Sequence, residues 1–265
     1  MELRLLDLFS GIAGFSLGFE RAGIFRTIAF CETGRQQSVV LKSHWPDTPN
    51  LGDVRNSLSA DVATDIIVGG DPCPSRSRAR GNRPSKHPDM SGWFLAVVAA
   101  KRPRWVVREN VPAPDVVDFA AGLESLGYPI SAFALDARDF TGQSRRREFV
   151  LGCPTRNAAR AIERTISLCA VGDRFSASRA QEETPIAACL TAHPLRLAAE
   201  DTYCFEPGAG LRVLSGDEAE ALQGFPRGWT LGLAERTRRM LYGNAVCVPK
   251  IEFIARAIAA VESAP

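Results

Sequence analysis

Apolar positions along the chain fall into short continuous runs separated by amphipathic stretches. LRLLDLF (Leu3–Phe9) is the first such run, the pattern of a strand buried on both faces. SGIAGFSLGFERAG follows it and predicts a small-residue turn, then a helix ending at Gly23. Thr27–Glu32 predicts a second strand closing on an acid, and a helix and a proline-rich turn then lead to LGDV (Leu51–Val54). Asp65–Cys73 predicts another buried strand, which runs into GGDPCPSRSRAR. Trp93–Pro103 predicts a helix, Arg104–Asn110 a strand ending in polar residues, and VVDFAAGLESLGY an amphipathic helix. ISAFALDARDF and REFVLGC predict the strands of a later hairpin. Strands alternating with helices predict an α/β fold with a parallel, doubly wound sheet. Such sheets bind ligands at the carboxyl ends of their strands. From Cys153 to Leu211 the pattern gives only short, ambiguous elements. Order returns at SGDEAEALQGFP, a helix with Ser215 as N-cap, and at PKIEFIARAIAAVESA, a terminal amphipathic helix after GNAV.

Composition narrows the class. The 265 residues are 45% hydrophobic and 23% charged, which suits one α/β domain of ordinary size, or one domain with a small appendage. Seven cysteines are widely spaced with no CxxC pair, so neither a disulfide framework nor a zinc site is expected. Reduced thiols predict a cytoplasmic protein. No apolar stretch reaches membrane-spanning length, and Met1–Leu8 lacks the cleavage region of a signal peptide. The net charge is only +2, but its distribution is uneven. Arg76 to Arg108 holds nine basic residues against the single acid Asp89, and Arg145-Arg146-Arg147 forms a second cluster. A phosphate-rich partner and a merely solvated face both fit such clusters; their place beside a candidate reactive thiol favours the partner.

Two strand ends carry candidate chemistry. In DLFSGIAGF a strand, a glycine turn and a helix start meet, and free N–H groups at the helix start suit a nucleotide-type ligand. The spacing Gly11-x-x-Gly14 is less than the full dinucleotide fingerprint, so a plain tight turn also satisfies it. Glu32 closes the next strand, where an acid can accept from ribose hydroxyls, and Asp53 closes LGD, where one can accept from an adenine amine. At the other end, Cys73 stands between Pro72 and Pro74 and ahead of Arg76, Arg78, Arg80 and Arg83. It is either an apolar plug at a strand end or a nucleophile whose thiolate the arginines favour. Glu109, closing a parallel strand, is either solvated or the acid that serves such a nucleophile.

With these residues in place, the chain resembles the DNA cytosine-5 methyltransferases over nearly its whole length. DLFSGIAGF resembles their S-adenosylmethionine-binding motif, GGDPCP the proline–cysteine motif, RENV the glutamate motif and GQSRRREFVLG the glutamine–arginine motif. LRVLSGDEAEALQGFP resembles the block after the recognition region, and YGNAVCVP the closing asparagine motif. The resemblance implies a Rossmann-like class I methyltransferase sheet with helices on both faces and a small recognition subdomain. It divides the chain into a catalytic domain (1–152), a recognition subdomain (153–211) and a C-terminal segment (212–265) packing back on the first. It implies that Cys73 attacks C6 of a flipped-out cytosine, that Glu109 holds N3 and the exocyclic amine, that Arg147 contacts O2 and that Arg145 orients the site. It assigns Phe9, Gly11, Ile12, Gly14, Glu32, Thr33, Asp53, Val54, Pro72 and Asn244 to the cofactor, with Trp93 as a weaker adenine wall. It gives Arg212 a supporting role; the basic character of the loop, not the resemblance, makes Arg76, Ser77, Arg78, Arg80 and Arg83 the candidate DNA contacts.

The departures are specific. The family usually carries glutamine after the cysteine, then an aromatic residue and a serine; here Pro74, Arg76 and Ser77 stand there. Proline cannot fill the space left by a flipped base or donate glutamine's hydrogen bonds. The recognition region is short for the family, which predicts short or relaxed sequence specificity. The expected partner is double-stranded DNA, with no metal and no membrane, and the expected state is a monomer from a restriction-modification system or a phage. An RNA cytosine methyltransferase and a catalytically silent DNA-binding homologue remain as alternatives.

Overall fold

A computed structural model describes residues 2–72, 90–176, 187, 189–190, 203–206, 208 and 210–264. In chain order the elements are β1 (Leu3–Leu8), α1 (Gly14–Arg21), β2 (Phe25–Cys31), α2 (Arg35–His44), α3 (Asn56–Ser59) and β3 (Ile66–Gly69). Then come α4 (Ser91–Lys101), β4 (Trp105–Asn110), α5 (Asp115–Ser125), β5 (Ile130–Asp136), α6 (Arg138–Thr141) and β6 (Arg146–Gly152). The remainder is α7 (Arg156–Ser176), β7 (Tyr203–Glu206), β8 (Gly210–Val213), α8 (Gly216–Gln223), α9 (Glu235–Asn244) and α10 (Val248–Glu262).

Six strands form one sheet in the order β2-β1-β3-β4-β6-β5. β1 pairs in parallel with β2 and β3, and β3 with β4. β6 runs antiparallel to both its neighbours, so the sheet is mixed rather than wholly parallel. All six residues of β4 are buried, because helices cover both faces. The two-residue period of the pleat sorts its side chains. Trp105 and Val107 enter the layer under α1, α7 and α10, while Val106 enters the layer under α4 and α5.

The main departure from the sequence pattern is α7. Where only short elements were expected after Cys153, a helix of 21 residues follows. Ala158, Ala159, Ile162 and Ile166 carry it into the main core. These four positions recur at helical spacing, so the helical period was present in the sequence. The start of the 153–211 stretch therefore adds to the sheet's own covering layer. β7 and β8 form a separate two-stranded ribbon.

The C-terminal segment returns to the N-terminus. A capping box opens α8: Ser215 accepts from the Glu218 N–H at 3.2 Å, and the Glu218 carboxylate accepts from the Ser215 N–H at 2.7 Å. Trp229 donates from Nε1 to the carbonyl of Ile12 at 2.9 Å. α10 lies against α1 so closely that a Cβ on Gly18 would stand 2.7 Å from Cβ and Cγ2 of Ile251. Alanine gains about 1 kcal/mol over glycine in a helix interior, but overpacking a tight core costs about 1–3 kcal/mol. The clash involves a branched Cβ that cannot swing aside, so it prevails. Gly18→Ala is expected to lower the urea midpoint; an unchanged or higher midpoint would show that the two helices are not pinned here.

Candidate active site

The carboxyl ends of β1, β2, β3 and β4 share one edge of the sheet; Phe9, Gly11, Ile12 and Gly14 follow β1, Glu32 and Thr33 follow β2, and Pro72 follows β3. After β1 the chain enters a left-handed turn, with φ of +54° at Phe9, +55° at Gly11 and +63° at Ala13. Only glycine adopts this region freely, so Phe9 and Ala13 are held there by their surroundings. Ser10 supplies part of that hold: its Oγ donates to the Asp7 carbonyl at 2.7 Å and accepts from the Cys31 N–H at 3.2 Å. Glu32 supplies the rest. Its carboxylate accepts from the Gly11 N–H at 2.8 Å and the Gly34 N–H at 2.6 Å, tying the two turns together. Burial raises the Glu32 pKa from its ordinary value, and the backbone donors oppose that rise.

The other cofactor candidates divide. Thr33, Pro72 and Asn244 are exposed. Asp53 is held ionised, at about 2, by Arg55, whose guanidinium donates to both its oxygens at 2.8 and 2.7 Å. The same guanidinium lies 5.9 Å from the ring centroid of Trp93, so Arg55 bridges two adenine-site candidates; sequence reading missed it. The side chains of Val54 and Ile12 are buried in apolar clusters. Gly14 serves packing: a Cβ there would stand 2.6 Å from Cγ2 of Val246, whereas one on Gly11 would meet nothing within 4 Å.

β3 and β4 position the candidate chemistry. Arg108 and Glu109 are adjacent in β4, so the pleat sends them to opposite faces. Arg108 donates to Oδ2 of Asp71 at 2.9 Å and Oδ2 of Asp115 at 2.8 Å, and its guanidinium covers the ring of Phe119 at 4.5 Å. The Arg108 and Asp71 side chains are only 1% and 2% exposed. Burial works against this charge, but the two aspartates outweigh it and leave the Arg108 pKa raised. Asp71 immediately precedes Pro72 and Cys73, so this pair fixes where the proline–cysteine segment departs. Cys73, Pro74, Arg76, Ser77, Arg78, Arg80 and Arg83 lie outside the described residues.

On the opposite face Oε1 of Glu109 meets Nε of Arg147 at 3.3 Å. Gly70 lets the Glu109 carboxylate approach the backbone; a Cβ there would stand 3.3 Å from Oε2. The antiparallel β6 brings Arg147 to this edge, since Glu109 pairs with Phe149 and Asn110 with Glu148. Arg145 is buried and holds backbone rather than Glu109. It donates to the carbonyls of Leu190, Gly243 and Ala245 at 2.9, 3.1 and 3.0 Å, and to Sγ of Cys189 at 3.4 Å. Arg212 instead binds the Glu218 carboxylate at 2.8 Å. Burial pushes the thiols of Cys31 and Cys153 up to about 12 and raises that of Cys247, which disqualifies these three as nucleophiles near neutral pH.

Two expected outcomes follow from these contacts. Leaving a buried charge without its partner costs about 3–5 kcal/mol; here that is an upper limit for losing Asp71, because Arg108 keeps Asp115 at 2.8 Å. Asp71→Ala should lose up to that much in urea unfolding and more than Asp115→Ala, since Asp115 is partly exposed; equal losses would mean Asp71 is not the anchor. Asp7 lies under the glycine turn, with Oδ2 accepting from Ser16 Oγ at 2.7 Å and Oδ1 unpartnered. Burial raises its pKa to about 8. The folded state therefore keeps a proton that the unfolded state releases near pH 4. The stability this lends is full below about pH 4, falls as pH rises and is gone above about 8, at up to about 1.4 kcal/mol per pH unit. Unfolding from pH 5 to 8 should show that decline, and Asp7→Asn should lack it; parallel slopes would refute the assignment.

Comparison with known proteins bears on the family and the fold. The family described as C-5 cytosine-specific DNA methylase matches residues 3–167 and 172–260. The type II methyltransferase M.Bsp6I of Bacillus sp. (strain RFL6) is 32% identical over 165 residues, covering 57% of this chain and 52% of that protein. The chain thus spans about half the length of that relative. M.NlaX of Neisseria lactamica is 26% identical over 307 residues, covering 98% of this chain and 97% of its own length. Among solved structures, the Entamoeba histolytica methyltransferase EhMeth superposes with a TM-score of 0.72 at 13% identity, covering all of both chains. S. pombe Dnmt2 superposes with a TM-score of 0.70 at 16% identity, covering 99% of this chain and all of its own. At such identities the superpositions establish the fold, a mixed six-stranded α/β methyltransferase sheet. The chain belongs to the C-5 cytosine-specific DNA methylase family.

Proposed function

We propose that this chain transfers a methyl group from S-adenosylmethionine to C5 of cytosine in DNA. The observation that carries the proposal is the Glu109–Arg147 pair, nearly buried at the strand edge and facing away from the Arg108–Asp71 anchor of the proline–cysteine segment. The acceptors after β2 fit the cofactor. Glu32 keeps lone pairs for ribose hydroxyls beyond its two backbone donors, ionised Asp53 keeps them for an adenine amine, and the turn is open beside Gly11. When bound, S-adenosylmethionine supplies an electrophilic methyl group.

The chain's own residues then do the following. The Cys73 thiolate forms a bond to C6, and the ring electrons move toward C5. Glu109, positioned by Arg147, binds N3 and the exocyclic amine, and Arg147 binds O2, so the developing charge is met by fixed groups. Carbon 5 takes the methyl group, its proton leaves to a base, and the S–C6 bond breaks to restore the thiolate. Because C6 is shielded inside a duplex, the target base must leave the stack. Arg76, Ser77, Arg78, Arg80 and Arg83 serve as backbone contacts, which position without specifying. Recognition of sequence falls to residues after α7, a region short enough to give a short or relaxed target. The chain acts as a monomer on double-stranded DNA.

Labelled methyl from S-adenosylmethionine should appear at C5 of cytosine in DNA, and DNA carrying 5-fluorocytosine should trap a covalent complex. Cys73→Ala should lose roughly a thousandfold or more in rate, and Glu109→Gln about a hundredfold. Full activity in Cys73→Ala would overturn the covalent route. RNA outcompeting DNA in the same assay would reassign the substrate, and DNA binding with no transfer would leave a silent homologue. Bisulfite sequencing of plasmid from an expressing host reads the target; a single long recognition sequence would refute relaxed specificity.

A further inference from the structure

Behind the Glu109–Arg147 pair stands a lysine that neither the motifs nor the proposed chemistry uses. Lys250 lies in the first turn of α10 and is 1% exposed. Its ammonium donates to the carbonyl of Arg145 at 3.1 Å and stands 5.7 Å from the ring centroid of Phe149, the cross-strand partner of Glu109. Removing an ammonium from water is expensive, and one hydrogen bond with one ring face is thin compensation. A methionine or leucine would fill such a site at lower cost. A group that works against stability in this place calls for a role in the site it adjoins.

Its surroundings supply that role. The charges acting on Lys250 are Glu109 from β4, Arg147 from β6 and Arg145 from the segment between α6 and β6. Cys247, in the cap of its own helix, is the other titratable group. One carboxylate thus faces three cations, a balance that favours negative charge developing at the edge of the site. Lys250 also grips the backbone of Arg145, whose side chain ties β6 to residues 189–190 and 243–245. Resting on the proposed methyl transfer, we infer that Lys250 is a positioning residue: its ammonium fixes the Arg145 backbone and sets the field in which Glu109 and Arg147 work. Burial pulls its pKa down to about 8, against the upward pull of Glu109, so the charge is held at neutral pH and lost soon above it.

The test separates this role from packing. Lys250→Met should fold with a urea midpoint at or above the parent's, while kcat falls roughly tenfold and KM for S-adenosylmethionine stays within about twofold. The parent's kcat should decline as pH rises through about 8, and the variant should lack that decline. A variant with the parent's kcat and pH profile overturns the inference, as does one that loses stability and activity together. A second measurement needs no activity: NMR titration of the lysine Nζ signals in the parent and in Glu109→Gln. Losing the Glu109 charge should lower the Lys250 midpoint by about one pH unit; an unchanged midpoint overturns the coupling. If the parent transfers no methyl to any nucleic acid, the reaction assigned above fails, while this titration still decides whether Lys250 and Glu109 are linked. It also decides the case in which Lys250→Met does not fold.

Discussion

Much of the site hangs on the buried contact between Arg108 and Asp71. It joins the end of β4 to the segment leaving β3, through two side chains almost wholly out of water. Neither charge survives there alone, so the backbone on both sides is committed to one arrangement. The pleat does the rest. With Arg108 turned toward Asp71 and α5, Glu109 must turn to the α10 face, where Arg147 meets it. One dipeptide therefore fixes the exit of the proline–cysteine segment and aims the carboxylate that would serve it.

The reversed strand matters as much. Had β6 run parallel to β4, its first residues would lie at the opposite edge of the sheet, far from the end of β4. Running antiparallel, it begins where β4 ends, and Arg145 and Arg147 arrive beside Glu109. Arg145 then extends the contact to backbone carbonyls after α9, so the C-terminal segment is joined to the same point. The packing of Gly18 on Ile251 and of Trp229 on the Ile12 carbonyl makes that return rigid.

What was legible in the sequence follows from these rules. Strands with continuous apolar runs and polar ends were readable because both faces are covered and chemistry collects at one edge. Glu32 and Glu109 were therefore locatable as strand-terminal residues, whereas Arg147 was singled out only through the family resemblance. α7 was missed although Ala158, Ala159, Ile162 and Ile166 recur at helical spacing, so the period of the helix was there to be read. Contacts between distant segments left no local trace. Asp71 with Arg108, Arg55 between Asp53 and Trp93, and Lys250 behind Glu109 each join residues whose types look ordinary in their own neighbourhoods. Gly14 looked like a ligand-facing glycine, yet the space it vacates belongs to Val246. A glycine's spacing tells that something comes close, not what.

Local rules are broken along one edge of this sheet, and the breaks point to the site independently of any relative. Phe9 and Ala13 hold left-handed backbone that their side chains disfavour. Asp7, Arg108, Gln143 and Arg145 each keep at least one buried polar atom without a partner among the described residues. Lys250 keeps a charge in a setting that suits a hydrocarbon. Elsewhere among the described residues such atoms are mostly isolated, such as the hydroxyls of Thr27 and Ser131. Near the strand ends they accumulate around opposed charges, and a fold tolerates that only where the arrangement is over-determined by its surroundings. Two buried guanidinium anchors, an antiparallel strand and a returning C-terminal helix provide that over-determination. The stability given up at the edge keeps charged groups desolvated and aimed before any substrate arrives, which is what electrostatic catalysis requires of a protein.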